Sequence, residues 1–334
     1  MSQGLIIKLR PTGPWRIGPD SGVRDRVDRV FHSDSLYSAV SSAMAQLGSL
    51  DDWLDATARA VEPAVRFGSC FPYQGDTLLV APPRNLWPPQ ASSKVRWKGA
   101  RFVPVSVVET LAAGRTLSEG AWVVDAESEC LVPSRNPSVP GPFRVAVRSS
   151  AAVDRDGASV TPHSTACLEF TQDCGLWTVA EFADDSARDR WTGPLTAAFR
   201  LLADSGMGGE RSRGWGRSEM PEITAGELPG LVISRPQADA WGYWLLSVYS
   251  PAESDAIDWE RGDYLLTTRG GRVESSAGWG DSKKLTRMVA EGSVLVAASA
   301  PRGSAADVAP DGFAHPVYRA GFALTIPIPV KVTA

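Results

Sequence analysis

The first apolar run, LIIKLR at residues 5–10, predicts a strand. A loop rich in Gly, Pro and Arg follows to residue 30. The pattern then changes period: in FHSDSLYSAVSSAMAQLG, Leu36, Val40, Ala43 and Leu47 recur at helical spacing. Ser33 or Asp34 can cap that helix, and Gly48 sits where it should stop. DDWLDATARA predicts a second helical piece, and VRFGSCFPY and TLLVAPP predict strands. Residues 82–145 hold many prolines and few periodic runs, so they read as an insertion. Within them SSKVRWKGARFVPV, with Lys94, Arg96 and Lys98 in alternation, predicts a basic hairpin. Order returns with a strand at FRVAVRSS and a hairpin over ACLEFTQDCGLWTVAEF, turning at Asp173-Cys174-Gly175. A helix over DRWTGPLTAAFRLLADSG carries Leu195, Phe199 and Leu202 on one face.

MPEITAGELPG near residue 220 reads as a linker. Beyond it the patterns predict a strand at WGYWLLSVYSP, a hairpin at YLLTTRGGRVES, strands in KKLTRMVAEGSVLVAAS and a closing pair in HPVYRAGFALTIPIPV. The plainest architecture is α+β: two units, residues 1–220 and 221–334, each an antiparallel sheet with a helix layer.

Composition changes this picture in three ways. A length of 334 residues with 43% apolar positions suits two modest packed domains. No apolar run reaches the roughly 18 residues of a membrane span, and the first residues lack a leader's apolar core, so no membrane partner and a cytoplasmic location are expected. Cys70, Cys130, Cys167 and Cys174 show no CxxC spacing and only three histidines exist to assist them; reduced thiols and no metal or cofactor site are expected. A net charge of −4 argues against a broadly basic nucleic-acid-binding face but leaves room for a local basic groove.

The densest chemistry lies in GMGGERSRGWGR, residues 206–217. Five glycines, Gly206, Gly208, Gly209, Gly214 and Gly216, accompany Arg211, Ser212, Arg213 and Arg217. Nucleotide loops run strand, glycine loop, helix; here the helix comes first and no Gly-Lys-Ser/Thr is present. Glycine amides and guanidinium forks instead suit a string of phosphates, as in RNA, and an extended loop would put its arginines on one side. A long turn that uses glycine for backbone geometry alone is the plainer alternative. Trp215 can stack on a base or plug the core. Arg269-Gly270-Gly271-Arg272 has a hairpin-turn signature. With Lys283 and Lys284 it either extends the basic surface or is a turn with two solvated arginines.

The first strand, then FHSDSLYSA at 31–39, then GMGGERSRGWGR after a helix, resemble the RAMP superfamily of CRISPR RNA-binding proteins. TTRGGRVESS at 267–276, KKLTRMVAEGSVL at 283–295 and HPVYRAGFALTIPI at 315–328 resemble the Csm subunit-four family of type III-A effector complexes. The resemblance implies two ferredoxin-like (RRM-type) domains and an inserted thumb hairpin. It also implies a non-catalytic subunit that caps the 5′ tag of crRNA and docks on the large Cas-ten subunit and the adjacent backbone subunit. The RNA contacts so implied are the loop residues above, His32, Ser33, Lys94, Arg96, Lys98, Arg148, Arg155, Arg269, Arg272, Lys283 and Lys284. The rival is a repeat-processing endoribonuclease of the same superfamily with His32 as general acid or base; no Tyr or second His stands as its partner, and His163 and His315 read as surface residues.

Overall fold

The computed structural model describes residues 2–19, 23–89, 95–134, 140–153, 160–234, 240–275 and 278–330. The first part of the chain runs β1 (Ser2–Leu9), α1 (Ser33–Gln46), α2 (Leu50–Ala56), β2 (Val65–Phe67), β3 (Phe71–Gln74), β4 (Thr77–Val80), β5 (Val103–Pro104) and α3 (Val105–Ala112). It continues with β6 (Trp122–Val124), β7 (Leu131–Pro133), β8 (Phe143–Val153), β9 (Val160–Phe170), β10 (Cys174–Phe182), α4 (Asp185–Ser205) and β11 (Glu222–Leu228).

Leu5, Ile6, Ile7 and Leu9 bury both faces of β1, as an interior strand requires. It pairs antiparallel with β10 on one side and β11 on the other. The main sheet has the order β11-β1-β10-β3-β4-β5, with β2 also on β10. The expected linker after residue 220 is therefore mostly strand: Glu222–Leu228 complete the first sheet, and the passage to the second part falls later. The periodic stripe Leu36, Val40, Ala43 is buried as predicted, as are Leu195, Phe199 and Leu202 of α4. Trp53 of α2 stacks on Tyr37 at 5.6 Å and meets Trp191 of α4 edge-on at 5.2 Å.

Among the described residues of the insertion, the expected basic hairpin over SSKVRWKGARFVPV is not present. Val95–Gly99 is a 3-10 turn in which Trp97 stacks on Trp87 at 5.4 Å, leading into β5 and α3. Burial of Trp97, 2% exposed, outweighs the alternation of its charged neighbours. The long hairpin is instead β8–β9, paired in register from Phe143↔Phe170 to Val153↔Val160. The turn near Asp173 forms, but it joins two different sheets: β9 pairs with β8, and β10 with β1.

The second part holds β12 (Trp241–Leu245), β13 (Ile257–Asp263), β14 (Leu266–Arg269), β15 (Arg272–Ser275), β16 (Gly278–Ser282), β17 (Thr286–Val289), β18 (Val294–Ala297), β19 (Gly303–Asp307), β20 (Tyr318–Phe322) and β21 (Thr325–Pro329). Four of these form a sheet in the order β13-β18-β12-β21, and the others pair two by two. The fold is α+β with antiparallel sheets, but the expected second helix layer is not separate: no α-helix lies beyond residue 205 among the described residues. The first part's α1 serves instead. Tyr37 meets Phe322 of β20 edge-on at 5.8 Å. Leu36, Phe199, Trp244, Phe322 and Ile326 all belong to one continuous buried cluster.

A shared core predicts one cooperative transition. Phe322→Ala should lower stability by about 3–5 kcal/mol, and the circular-dichroism signal of the helices should melt at the same midpoint as tryptophan fluorescence. Two separated midpoints in the unaltered chain would show the parts to be independent.

Candidate RNA-binding groove

His32, Ser33 and Asp34 open α1, and each reaches into the second part of the chain or onto a residue that does. His32 Nδ1 lies 2.7 Å from Glu291 Oε1, and the Ser69 hydroxyl also donates to that carboxylate oxygen. The Ser33 amide donates to Ser69 Oγ at 2.8 Å, while Ser33 Oγ accepts from the Val248 amide at 3.1 Å. Asp34 accepts from Arg269 Nη2 at 3.1 Å and from Arg319 Nη1 at 2.5 Å. Ser33 and Arg269, implied as RNA contacts, are each 5% exposed and are engaged in this internal joint. The reading of Arg269 as a solvated turn arginine is corrected by the same geometry: a carboxylate this deep requires a cation beside it.

The charges respond accordingly. Burial alone would lower the His32 pKa, but the adjacent Glu291 carboxylate prevails and holds it above the ordinary 6.5. Burial would raise Glu291, and His32 with the Ser69 hydroxyl holds it below the ordinary 4.5. Asp34, pushed up by burial, is pulled below its usual range by Arg269, His32 and Arg319.

Beside this joint runs a groove of about 570 Å³. Its floor is the polar stripe of α1, Ser35, Ser38, Ser42 and Gln46, spaced along one helix face. One wall is the glycine loop from Gly206 to Arg211 with Arg16 and Arg24. The other is Gly270 to Arg272 with Lys283, Tyr318 and Arg319. The two stretches singled out in the sequence, far apart in the chain, thus face one cleft. Among the described lining residues six are Lys or Arg and two, Asp34 and Glu210, are acidic. That local excess is what the net charge of −4 concealed.

The loop is not an extended row of arginines. Residues Arg211–Arg213 make a 3-10 turn, so the alternating side chains diverge. Arg211 lines the groove. Arg213 turns to His163 Nε2 at 3.1 Å and Glu210 at 3.2 Å. Arg217 is exposed, and its carbonyl accepts from the Thr12 amide and Trp15 Nε1. Ser212 is exposed and Trp215 half-buried. Many loop amides are spent internally: Met207 bonds Gly216, Gly209 bonds Arg16, and Gly216 bonds Pro14. Gly216, at φ +78°, lies so close to Met207 that a Cβ would overlap its carbonyl. The loop is a rigid, self-bonded platform rather than an open ring of amides.

Of the remaining candidates, Arg272 and Lys283 line the groove, while Lys284 turns to Asp311 at 2.8 Å. Arg148 and Arg144 both grip Glu169 on the β8–β9 hairpin, at 2.7 and 2.8 Å. Arg96 and Lys98 are exposed on the 3-10 turn, outside the groove. Lys94 and Arg155 lie outside the described residues. Sequence reading missed Arg16, Arg24, Arg319 and the serine stripe; the spacing of Ser35, Ser38 and Ser42 was the available signal for the last. The four cysteines are buried and unpaired with one another. Among the described residues no cluster of His, Cys, Asp or Glu could hold a metal, and no helix is long and apolar enough to cross a membrane.

Residues 238–328 match the model of the CRISPR Csm4 C-terminal domain. Over that stretch the chain is similar to a Csm4 C-terminal domain. The resemblance to Csm subunit four read from TTRGGRVESS and HPVYRAGFALTIPI stands with it. No curated protein matches the chain. Among solved structures, one from a Csm1–Csm4 cassette in complex with cA4 is 17% identical, with a TM-score of 0.60 over 98% of each chain. Another, from a Csm3–Csm4 subcomplex of the type III-A CRISPR-Cas interference complex, is 15% identical, with a TM-score of 0.65 over 97% of this chain and 99% of that one. The fold seen in Csm4-containing assemblies therefore extends over both parts of this chain.

Two outcomes follow for the groove and the joint beside it. Gly216→Ala should destabilise the protein by about 3 kcal/mol or more, because strain and overlap add. Gly214→Ala, at φ +79° but with open space around it, should cost only about 1 kcal/mol; equal losses in chemical denaturation would show that the close approach is not rigid. The His32–Glu291 pair sets a pH window. The imidazolium's contribution is complete below 6.5 and fades as pH rises through its raised value. The carboxylate's is complete above 4.5 and fades as pH falls through its lowered value. The stability lost in His32→Gln should therefore peak near pH 5.5, at about 3 kcal/mol, and shrink on either side. A pH-independent loss in denaturant titrations would mean the ring is not charged there.

Proposed function

We propose that the chain is a non-catalytic RNA-binding subunit of a type III-A CRISPR effector complex, acting in the cytoplasm, and that its groove holds the 5′ tag of the crRNA. The observation that supports this most directly is the convergence of Arg211 with Arg272 and Lys283 across a floor of hydroxyls. Cations at the rims suit successive phosphates, and the serine and glutamine side chains suit ribose and base edges without demanding one sequence. The neighbours described as a Csm1–Csm4 cassette and a Csm3–Csm4 subcomplex support partners of two kinds, the large Cas-ten subunit and a backbone subunit.

The endoribonuclease reading is weaker. A metal-independent cleavage needs a proton acceptor and donor about one 2′-OH. No histidine is among the described residues that line the groove, and the His32 ring is committed to Glu291 at 2.7 Å. His163 bonds Arg213, and His315 lies by Pro316 in a distant loop.

The test uses the purified full chain and a single-stranded RNA with the repeat-derived tag at its 5′ end. Changing Arg211, Arg272 and Lys283 together to Ala should weaken binding and flatten the dependence of log affinity on log salt by about 2, three lost phosphate contacts at about 0.7 each. Unchanged affinity and slope would remove the groove as the site. Cleavage of the RNA by wild type, lost in His32→Ala, would reverse the assignment to a non-catalytic class.

A further inference from the structure

Arg319 was singled out by neither the loop patterns nor the resemblance, yet it is the most deeply placed guanidinium with a share in both the joint and the groove. It is 6% exposed and lines the cleft. Its Nη1 lies 2.5 Å from Asp34 Oδ2, and its Nη2 donates to the Gly270 carbonyl. Its Nε is buried and has no hydrogen-bond partner among the described residues. A buried donor without an acceptor is costly, and guanidiniums normally satisfy such donors with an oxyanion. Here two of the three nitrogens are fixed by the protein, and the third is enclosed in this pose, so that it meets a ligand only when the side chain shifts toward the cleft that Arg319 lines beside Arg272 and Lys283.

We propose that Arg319 supplies a phosphodiester-binding donor of the groove, so that one guanidinium both holds Asp34 and grips the RNA backbone. The inference rests on the groove being the RNA site. Its consequence is coupling: RNA binding and the joint between the two parts of the chain share a residue, so that each anion weakens the guanidinium's hold on the other. Asp34 and the phosphate then compete for the same positive charge. Removing the Asp34 carboxylate loosens the free protein but leaves the groove wall more positive, which an RNA phosphate can offset.

The experiment takes the full chain, with a single-stranded RNA of about eight nucleotides as the probe, a length within the range such sites span. Melting temperature with and without RNA is measured alongside affinity, in wild type, Asp34→Asn and Arg319→Lys. Arg319→Lys keeps a cation for Asp34 but loses the planar fork and Nε; the free protein should melt somewhat lower, because the Gly270 carbonyl loses its donor, and its affinity, measured well below its own melting temperature, should fall about tenfold. Asp34→Asn should melt lower when free, yet gain more from RNA than wild type does. Inorganic phosphate at the same phosphate concentration is the comparison arm and should protect little. Wild-type affinity in Arg319→Lys overturns the proposal and makes the arginine a structural counter-ion only. An RNA-induced rise in Asp34→Asn no larger than in wild type overturns the coupling, and should that variant fail to fold, Arg319→Lys decides alone. Protection by inorganic phosphate equal to that by RNA makes a lone anion the ligand and also overturns it. Failure of wild type itself to bind RNA would instead strike the groove reading on which this one stands.

Discussion

The Asp34 carboxylate, 2% exposed, is the point on which the two parts of the molecule turn. It meets guanidiniums from 235 and 285 residues further along the chain. Taking a carboxylate out of water costs several kcal/mol, and only close, well-directed cations offset that. Its position in the first turn of α1 adds the favourable end of the helix dipole. His32 and Ser33 complete the joint on either side of α1's start, one through Glu291 and one through the Val248 amide. Three consecutive polar residues thus fix where the second part sits, and the groove exists only because it sits there: one wall belongs to each part.

That geometry gives an acidic protein a locally basic groove. The charge is gathered from Arg16, Arg24, Arg211, Arg272, Lys283 and Arg319, which lie far apart in the chain. Arg16 shows how tightly the gathering is done. Its guanidinium donates to the carbonyls of Val23, Arg24 and Ala166 at 3.0, 3.0 and 3.1 Å, shaping the loop that carries Arg24, while its own carbonyl accepts from Gly209. The glycine loop is thereby tied to Arg16 within one wall of the cleft. Its glycines serve close approach within the protein, and its contribution to the groove is shape plus Arg211.

Local patterns in the sequence were legible wherever the chain's own period decides the outcome. The buried stripes of α1 and α4, strand β1 and the α+β class follow from periodicity, and the family blocks in the last hundred residues gave the Csm subunit-four resemblance that the C-terminal domain match supports. What failed were inferences from alternation of charges. Lys94, Arg96 and Lys98 suggested a hairpin, but Trp97 between them is driven inward and curls the segment into a turn. Arg211 and Arg213 suggested one basic face, but a 3-10 turn sends them apart. Charged side chains tolerate either arrangement, so their spacing carries little force against a buried indole or a tight turn. The joint was illegible for another reason: pairing of Asp34 with Arg269 and Arg319 is a fact of tertiary contact, and nothing local marks those arginines as buried.

An apolar joint of equal area would hold the two parts together about as well, since buried ion pairs gain little over well-packed hydrophobic groups. It would not hold them at one angle. Apolar surfaces slide with small loss, whereas Asp34 accepts from two guanidiniums only at particular directions and distances, and the Ser33 hydroxyl meets the Val248 amide at 3.1 Å only in the same pose. The two walls of the groove, one from each part, keep their cations at fixed separations only in that pose. The continuous core around Tyr37 and Phe322 supplies the adhesion, and the polar start of α1 supplies the register. Strength and orientation are thus carried by different groups, which is why the polar residues at the helix start are buried there at the cost of their desolvation.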